Sequence, residues 1–414
     1  MKKIKNITYQ LGVLLCLTTG LMLSACSQDS ASDRPEPPIP DTPSPDTPTP
    51  DTSNRLLRLT AATRQFSQGG NQSAAPAITR AVTYPSATGW TSFTENCNML
   101  AFIAKQKANP ASDDVMSRLL SYTSSSNDWQ ANIARLDDTS DYRIFGFSPI
   151  DAANSSDNVS MSLLPSSSNY ADGAQLTIGG LKVLTLSDPC VIVGVTAPDA
   201  NDNYNLQWGK FDFTFKPGTV DVTDYVGILL DHIYSRYNFS IKIDPDYAQL
   251  RTIRVTKMTL EALTDDGQVL GSVTATVKIQ ANTTNTNPIT SVTYSRNAGT
   301  RSVTIFDKTD HATYPNGIVL DKNATNFQQA GYCHAPGDQR RFRLTTQYEV
   351  FDRQGKHIRT NTAVNTFNTE NFKGNKITST APGMEHTIQI VVNPTYLYML
   401  SDWDLDNPTI VVDN

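Results

Sequence analysis

The chain has 414 residues, of which 38% are hydrophobic, which is enough for about two or three domains with packed cores. Its formal net charge is −6, and the folded part carries no basic cluster of the kind that holds nucleic acid. Length, composition and charge therefore favour a mildly acidic folded protein and exclude a nucleic-acid-binding one.

The N-terminal region has the pattern of a secretory signal with a lipidation site. Lysines at positions 2, 3 and 5 precede an apolar run from Leu11 to Leu23, which is too short to span a bilayer. Leu23-Ser24-Ala25-Cys26 then places small residues before a cysteine, which is the pattern of a lipobox. We expect residues 1–25 to be a signal peptide and Cys26 to carry lipid that holds the chain to a membrane.

Residues 26–53 form a predicted lipid-anchored tether. Within it, residues 34–52 carry proline at almost every second or third position. Such a tract cannot pack a core and stays extended at about 3.1 Å per residue. We expect the tether to hold the folded part away from the membrane.

The folded part opens on a predicted strand, Leu56–Thr63, in which Leu57, Leu59 and Ala61 share one face. The segment that follows is rich in serine, glycine and asparagine, has no apolar period, and leads to Arg80. We expect Arg80 to lie at the end of an accessible segment, where proteases cut most easily, although any surface arginine in a loop fits that description.

From Ala81 to residue 224 the pattern is mostly that of short strands. One exception is Ser112–Leu120, where a capping serine and acids in the first turn predict a short helix. The predicted strands of this part are Asn98–Ala104, Tyr142–Phe147, Gln175–Leu186, Cys190–Val195 and Leu206–Phe215.

The stretch Tyr225–Ile243 fits two periods. Its first part suits a helix, and its last part, with Phe239 and Ile241, suits a strand. Because β-branched and aromatic residues dominate, we favour one strand, or two strands with a kink, over a helix.

The second half of the chain is predicted to consist of hairpins and single strands. Met258–Leu263 and Gly271–Gln280, joined by the turn Asp265-Asp266-Gly267, should pair as one hairpin. Many short strands with regular turn signals are typical of sandwiches. The other predicted strands are the hairpin of Phe342–Phe351 with His357–Phe367, then His386–Val392 after the turn Pro382-Gly383, Tyr396–Leu400 and Thr409–Val412.

The sequence carries no motif of a nucleophile elbow, a metalloprotease, a Walker loop or a dinucleotide-binding loop. Cys97, Cys190 and Cys333 are too widely spaced for a disulfide framework or a zinc ribbon, so buried free thiols are favoured, with one disulfide left open. No histidine has a metal-ligand neighbour at the usual spacing, and His232 is expected to be a hydrogen-bonded core residue. We therefore predict no catalytic residue, no cofactor and no metal site.

Two acidic loops are candidates for calcium sites, and the tryptophans are candidates for a sugar-binding surface. The loop from Asp199 begins like an EF-hand loop, but Tyr204 replaces its glycine and Lys210 its final carboxylate. The acids between Asp402 and Asp406 alternate with apolar residues, which is also the pattern of a half-buried strand end. The tryptophans, which suit either a core or a sugar-stacking surface, are Trp90, Trp129, Trp208 and Trp403.

In the order of its parts the chain resembles the fimbrillin family, the type V pilins and associated fimbrial lipoproteins of Bacteroidetes. Ser27-Gln28-Asp29, directly after the lipobox, is also similar to the acidic tag that takes some lipoproteins of this group to the outer face of the cell. The features that carry the resemblance are the lipobox, the Leu-x-Leu-Thr-Ala strand from Leu57 that runs on to Ile78-Thr79-Arg80-Ala81, the segment Val226–Ile243 with His232, and the Pro-Gly-x-x-x-x-Ile-x-Ile strand from Pro382.

The resemblance implies an all-β fold of two transthyretin-like β-sandwich domains in tandem with few short helices, here residues 54–224 and 225–414. It implies that a trypsin-like surface protease cuts between Arg80 and Ala81 and releases the first strand. A strand of the next subunit would then enter the groove by β-augmentation, and such head-to-tail contacts build a filament. Carried over by position, the removable strand has Leu57, Leu59 and Ala61, and the candidate donor strand has Thr409, Ile410, Val411 and Val412.

These expectations describe a non-catalytic structural or accessory subunit of an adhesive pilus at the outer membrane, whose partners are other pilin subunits. The short C-terminal strand leaves a tip role open, because a tip subunit only has to accept a strand. One alternative is a surface lipoprotein that is never cut and binds glycans through exposed aromatic side chains. Another is an enzyme, which would require turnover to depend on His232.

Overall fold

The structure is a computed structural model in which Thr52–Asn414 form a compact unit. Several predicted features lie outside the described residues: the signal peptide, Cys26, the tether, Arg80, Ala81, both acidic loops, Tyr396–Leu400 and most of Leu206–Phe215. The described residues are 55–68, 90–93, 97–105, 114–125, 128–133, 141–150, 156–164, 173–196, 214–215, 226–281, 287–327, 332–334, 340–372, 377, 380–393 and 409–413.

Strands dominate the described part of the chain. In the first half they are β1 (Arg55–Arg64), β2 (Ser67–Gln68), β3 (Trp90–Ser92), β4 (Asn98–Lys105), β5 (Asp114–Thr123), β6 (Asp128–Ile133), β7 (Tyr142–Ile150), β8 (Val159–Leu164), β9 (Gly173–Lys182), β10 (Leu184–Thr185), β11 (Cys190–Thr196) and β12 (Thr214–Phe215).

Strands continue through the second half, with one short helix, α1 (Pro245–Ala248), and 3-10 turns at Ser156–Asn158 and Thr369–Asn371. None of the helices within the described ranges has the length and apolar character needed to cross a membrane. The strands are β13 (Val226–His232), β14 (Ser235–Ile243), β15 (Thr252–Leu263), β16 (Leu270–Gln280), β17 (Ile289–Ala298), β18 (Ser302–Asp307), β19 (Ile318–Val319), β20 (Thr325–Asn326), β21 (Tyr332–His334), β22 (Arg341–Phe351), β23 (His357–Asn368), β24 (Met384–Asn393) and β25 (Thr409–Asp413).

The predicted all-β class is confirmed, and so are most of the predicted strands. Leu56–Thr63 lies within β1, and Tyr225–Ile243 forms the kinked pair β13 and β14. The hairpin of β22 with β23 forms from Arg341↔Asn368 to Phe351↔His357, with one register shift between Val350 and Phe351.

The predicted helix at Ser112–Leu120 is wrong, because all of its described residues, Asp114–Leu120, belong to β5. β5 pairs with β4 along one edge and with β6 along the other, so its backbone hydrogen bonds are made between strands. Its side chains alternate as a strand requires: Leu120 is buried, whereas Leu119 is 46% exposed. Pairing of Asp114–Leu120 with β4 therefore overrides the local capping signal.

The predicted hairpin between Met258–Leu263 and Gly271–Gln280 forms only at its turn. Gly267 adopts a φ of +88°, and Leu263 and Val269 make an isolated bridge. Beyond the turn the strands separate: β15 pairs with β18, β19 and β22, whereas β16 pairs with β9 and β17. The turn thus joins two sheets, since each strand finds longer partners elsewhere.

Seven strands of the nine-stranded sheet pair in a closed order. The order β11-β13-β1-β6-β5-β4-β7 is closed by a further pairing between β7 and β11. These strands therefore form a closed ring, and the chain's first described strand, β1, is one of its members. The remaining sheets have seven, five and four strands.

The two faces of β4 enter two different cores. On β4, Met99, Ala101 and Ile103 belong to a smaller core, to which every strand of the ring contributes, so this core fills the ring interior. Leu100 and Phe102 point the other way, into a larger core shared with the other sheets. Strict alternation of strand side chains produces this division.

Sheets also connect strands from both sides of the predicted domain boundary at residue 224. β13 pairs with β1 and β11, and β9 pairs with β16 in the four-stranded sheet. The division into residues 54–224 and 225–414 stays a prediction.

Candidate strand-exchange site

β1 is held along both edges by main-chain pairing. Its first half pairs antiparallel with β6, from Arg55↔Ile133 to Leu59↔Trp129. Its second half pairs parallel with β13 from Leu59↔Val226 to Thr63↔Leu230, and its last residues also pair with β3. β1 thus connects β6 to β13 and completes the ring; it is not an edge strand.

The inward face of β1 packs into the ring interior. Leu59 is fully buried in the smaller core, and Ala61 packs against that core. Leu57 pairs with Ala131 in the backbone, although its side chain lies outside the described residues. The amide of Phe93 donates to the carbonyl of Ala61 at 2.8 Å, which fixes the end of this face. Leu59 and Ala61, two residues of the predicted face, therefore both pack on the ring interior.

β1 ends at a buried ion pair. The guanidinium of Arg64 donates to a carboxylate oxygen of Asp231 at 3.3 Å, and the two side chains are 3% and 0% exposed. Breaking a buried pair by removing one partner typically costs about 3–5 kcal/mol. This pair therefore fastens the end of β1 to the end of β13.

His232, the last residue of β13, adds a second fastening. Its Nε2 donates to the carbonyl of Arg64, and its Nδ1 lies 2.6 Å from Oδ2 of Asp188. Burial lowers the pKa of His232, but the charge and hydrogen bond of Asp188, the charge of Asp231 and the hydrogen bond to Arg64 together raise that pKa by more, so the net shift is upward. The prediction of a hydrogen-bonded core histidine is confirmed.

After Arg64 the chain crosses from the ring to the seven-stranded sheet. Phe66 stacks on the ring of His232 at 3.8 Å, and the guanidinium of Arg236 lies 4.1 Å from the centroid of Phe66. Ser67 then donates its amide to the carbonyl of Gly383 at 2.9 Å, and β2 pairs parallel with the start of β24. We call residues 64–68 the crossing segment. It attaches the predicted removable strand to a second sheet.

Cys190 lies beside His232, with 3.6 Å between Sγ and Nδ1. Burial, and after it the charge of Asp188, raises the pKa of the Cys190 thiol well above its usual value. A cysteine protease relay needs the thiol and the orienting acid on opposite nitrogens of the imidazole. Here the thiol and Asp188 converge on the same nitrogen, so the arrangement is not such a relay.

Sequence reasoning missed this grouping of Asp188, Cys190 and His232, since the histidine lies 42 residues from the cysteine. The available signal was Asp188-x-Cys190, which places two polar groups on one side of an extended segment. Free thiols are confirmed for Cys190, which is buried, and for Cys97, which is half-buried. The side chain of Cys333 lies outside the described residues.

The predicted donor strand is the five-residue β25, which pairs antiparallel with β24 from Gln389↔Asp413 to Asn393↔Thr409. β14 pairs with β24 over Glu385–Val392 and thereby takes one whole edge of it. β2 and β25 must therefore lie on the other edge of β24, with β2 at its start and β25 at its end. The end of the segment that cleavage after Arg80 would release, β2, and the predicted donor strand, β25, thus share one edge of β24.

Trp129 belongs to the core. Its side chain is 1% exposed, it stacks on Phe93 at 5.5 Å, and its Nε1 donates to the carbonyl of Phe93 at 3.1 Å. Trp129 is therefore no sugar platform. The side chains of the other tryptophans lie outside the described residues.

No protein-family model matches the sequence, and no curated protein matches it. The solved structures to which the chain is similar include fimbrial and putative cell adhesion proteins of Bacteroides and Porphyromonas.

Among these structures is a fimbrial protein from Bacteroides vulgatus, with 11% identity, a TM-score of 0.33, and coverage of 86% of this chain and 97% of that one. The fimbrial anchor protein Mfa2 of Porphyromonas gingivalis has 10% identity, a TM-score of 0.18 and coverage of 86% and 95%. The tip fimbrial protein Mfa3 of the same organism has 10% identity, a TM-score of 0.23 and coverage of 86% and 98%. At these identities and TM-scores, the assignment of β1 and β25 depends on the chain's own geometry.

Proposed function

We propose that this chain is a non-catalytic subunit of an adhesive surface pilus, assembled by exchange of β1 for a strand of another subunit. It is exported as a lipoprotein with lipid on Cys26, reaches the outer membrane, and is then cut after Arg80 by a trypsin-like protease. Its partners are other pilin subunits, and a structural, accessory or tip position all fit this assembly. The anchor and tip fimbrial proteins among its structural neighbours are of the same kind.

The observation that carries this proposal is the position of β1. β1 completes a ring of strands, yet β1 and β2 together join the rest of the folded chain only through the segment between Gln68 and Trp90. One cut in that segment separates them covalently from every other strand of the ring. Their departure exposes the paired edges of β6 and β13 and the pocket that holds Leu59. An open edge with an apolar pocket is what β-augmentation requires.

Arg80 suits the cut because it is the only lysine or arginine between Arg64 and Lys105. Arg64 itself is 3% exposed and paired with Asp231, so a protease specific for basic residues meets it only after β1 has opened. In the folded chain, Arg80 is therefore the basic residue at which cleavage would cut the covalent connection of β1 and leave β3 to β7 uncut.

β25 suits donation because, among the described strands, its ladder is with β24 alone. It has five residues, whereas β1 has 10, of which five pair with β13 and five with β6. A five-residue donor restores one of these two registers. Full replacement of β1 therefore also uses residues that precede Thr409.

Limited trypsin treatment of the purified full chain tests the proposal. We expect one early cut after Arg80, identified by N-terminal sequencing, and a product that keeps its circular dichroism spectrum and forms ladders on gels. The variant Arg80→Gln should resist this cut and should not form ladders. Arg353→Gln, which changes an exposed arginine in the turn between β22 and β23, is the matched control and should behave as the wild type.

Two outcomes would overturn the proposal. One is an early cut elsewhere with residues around Arg80 left intact. The other is a cut after Arg80 that unfolds the chain without producing any oligomer.

A further inference from the structure

Asp188, Cys190 and His232 bring three different metal-binding atoms together next to the crossing segment. A carboxylate oxygen, the thiol sulfur and an imidazole nitrogen all lie within 4.8 Å of one another. Cys190 and His232 are buried, and the side chain of Asp188 is 16% exposed. The group is thus enclosed by the fold and has one ligand in reach of solvent.

Strand register creates this grouping. Cys190 begins β11 and lies directly opposite His232, the last residue of β13. Asp188 precedes Cys190 by two positions, so an extended backbone carries both side chains on the same side. The amide of Ile233 donates to the carbonyl of Pro189 at 2.9 Å, which fixes the connection between the two strand ends. The three ligands are therefore placed by paired backbone.

The orientation of the imidazole is fixed by its other nitrogen. Nε2 faces the carbonyl of Arg64 and must donate a proton to it. Metal-binding histidines usually make this kind of hydrogen bond from the nitrogen that does not bind the metal. Nδ1 then carries either a proton shared with Asp188 or a metal ion.

Distances agree with a tetrahedral metal ion. For Zn–S of about 2.3 Å and Zn–N of about 2.0–2.1 Å, two ligands at a tetrahedral angle lie about 3.5 Å apart. The observed separation of Sγ and Nδ1 is 3.6 Å. Nδ1 and Oδ2 of Asp188 are 2.6 Å apart and must separate by less than an ångström to admit the ion.

We propose that Asp188, Cys190 and His232 bind one zinc ion, with a water molecule in the fourth position. The hydroxyl of Thr63 also lies close to the group, 4.0 Å from Sγ of Cys190. A set of one nitrogen, one sulfur and one oxygen ligand suits zinc and is unsuited to calcium or magnesium, which prefer oxygen ligands.

Binding of one zinc ion with release of two protons leaves the net charge of Asp188, Cys190 and His232 unchanged. In the metal-free chain, an imidazolium at His232, the carboxylate of Asp188 and a neutral thiol at Cys190 would together carry no net charge. When zinc binds, the protons of Nδ1 and Sγ pass to solvent and both atoms donate their electron pairs to the metal. Zinc with one thiolate, one carboxylate and one neutral imidazole is again neutral, so the buried group avoids an uncompensated charge.

Titration of the purified full chain with cobalt(II), a spectroscopic substitute for zinc, tests this site. We expect a thiolate-to-cobalt charge-transfer band that saturates at one metal ion per chain, and zinc should abolish the band. Cys190→Ser should lose the band and lower the zinc stoichiometry by one. Cys97→Ser changes the other free thiol among the described cysteines, which lies 3.4 Å from the hydroxyl of Ser148, and it should keep the band.

X-ray absorption of the zinc-loaded wild-type chain provides a test that does not require a variant to fold. We expect one sulfur at about 2.3 Å and nitrogen or oxygen neighbours at about 2.0–2.2 Å. A first shell without sulfur would overturn the proposal. So would the absence of a thiolate–cobalt band in the wild type, or its persistence in Cys190→Ser.

Discussion

β1 and β25, the two strands that would change places during assembly, are held very differently. β1 has 10 residues, pairs along both edges, buries Leu59 and ends at the buried pair of Arg64 with Asp231. β25 has five residues and a described ladder along β24 alone. The strand that has to leave is therefore fastened more firmly than the strand that has to be donated.

This difference implies that a cut after Arg80 is not sufficient to free β1. Cleavage removes the covalent connection, but both ladders and the contacts of the crossing segment remain. Release then depends on how often the end of β1 opens, which is a local unfolding equilibrium. The crossing segment is where this equilibrium is set, and substitutions there should have the largest effects.

Arg64→Ala should have the largest effect. It deprives the buried carboxylate of Asp231 of its guanidinium, which typically costs about 3–5 kcal/mol of the free energy of unfolding. Urea denaturation of the full chain measures this loss. Arg343→Ala is the matched control, because Arg343 pairs with Glu261 at the surface, with side chains 35% and 19% exposed, and such pairs contribute about 0–1 kcal/mol. Equal losses in the two variants would contradict a fastening role for Arg64.

Leu59→Ala should follow. Removing a fully buried leucine from the ring interior typically costs about 2–5 kcal/mol, since the pocket collapses only in part. Val364→Ala, at a side chain that is 60% exposed on β23, should change the free energy of unfolding by less than about 0.5 kcal/mol. A loss below about 1 kcal/mol for Leu59→Ala would show that the pocket does not depend on β1.

Phe66→Ala should have an intermediate effect. It removes the stacking on His232 and the contact with Arg236, and aromatic and cation–π contacts each contribute about 0.5–1.5 kcal/mol. After cleavage, the fragment should dissociate from the variant several-fold faster than from the wild type, as followed by size-exclusion chromatography. Phe351→Ala, which removes a comparable contact with Arg254 far from the crossing segment, should leave the dissociation rate unchanged.

Val411→Pro should have the smallest effect. Val411 of β25 lies opposite Val391 of β24, and a proline there interrupts the ladder between the two strands. A lost main-chain hydrogen bond contributes about 0.5–1.5 kcal/mol. Thr60→Pro makes the same change in β1, where Thr60 lies opposite Gly227 of β13 and both strands belong to the ring. Hydrogen exchange should show opening confined to the end of β24 in the first variant and opening of β13 in the second. Comparable opening of the ring in both variants would remove the distinction between the two strands.

The sequence predicted those parts of this arrangement that depend on near neighbours. Alternation of Leu57, Leu59 and Ala61 identifies β1, and the short connection between Phe342–Phe351 and His357–Phe367 identifies the hairpin of β22 with β23. Local signals misled where distant pairing decides the structure. Ser112–Leu120 has a helix-capping pattern, but Asp114–Leu120 pair with β4, and the turn at Gly267 joins strands of different sheets.

The fastening of β1 could not be predicted from the sequence, because its members are far apart in the chain. Arg64 and Asp231 are separated by 167 positions, and Ser67 and Gly383 by 316. Only the parallel register of β1 with β13 brings the first pair together. Nothing in the periodicity of either strand encodes that register.

Native mass spectrometry of the trypsin-cut chain, with and without a peptide that extends upstream from Asn414 to about the length of β1, tests most directly whether β1 is an exchangeable strand. Before the peptide is added, the fragment that ends at Arg80 should stay bound, held by both ladders and the crossing segment. After addition, the fragment should leave and one peptide should take its place on the folded remainder. A fragment that stays bound at every peptide concentration, or a peptide that binds without displacing it, would contradict strand exchange at β1.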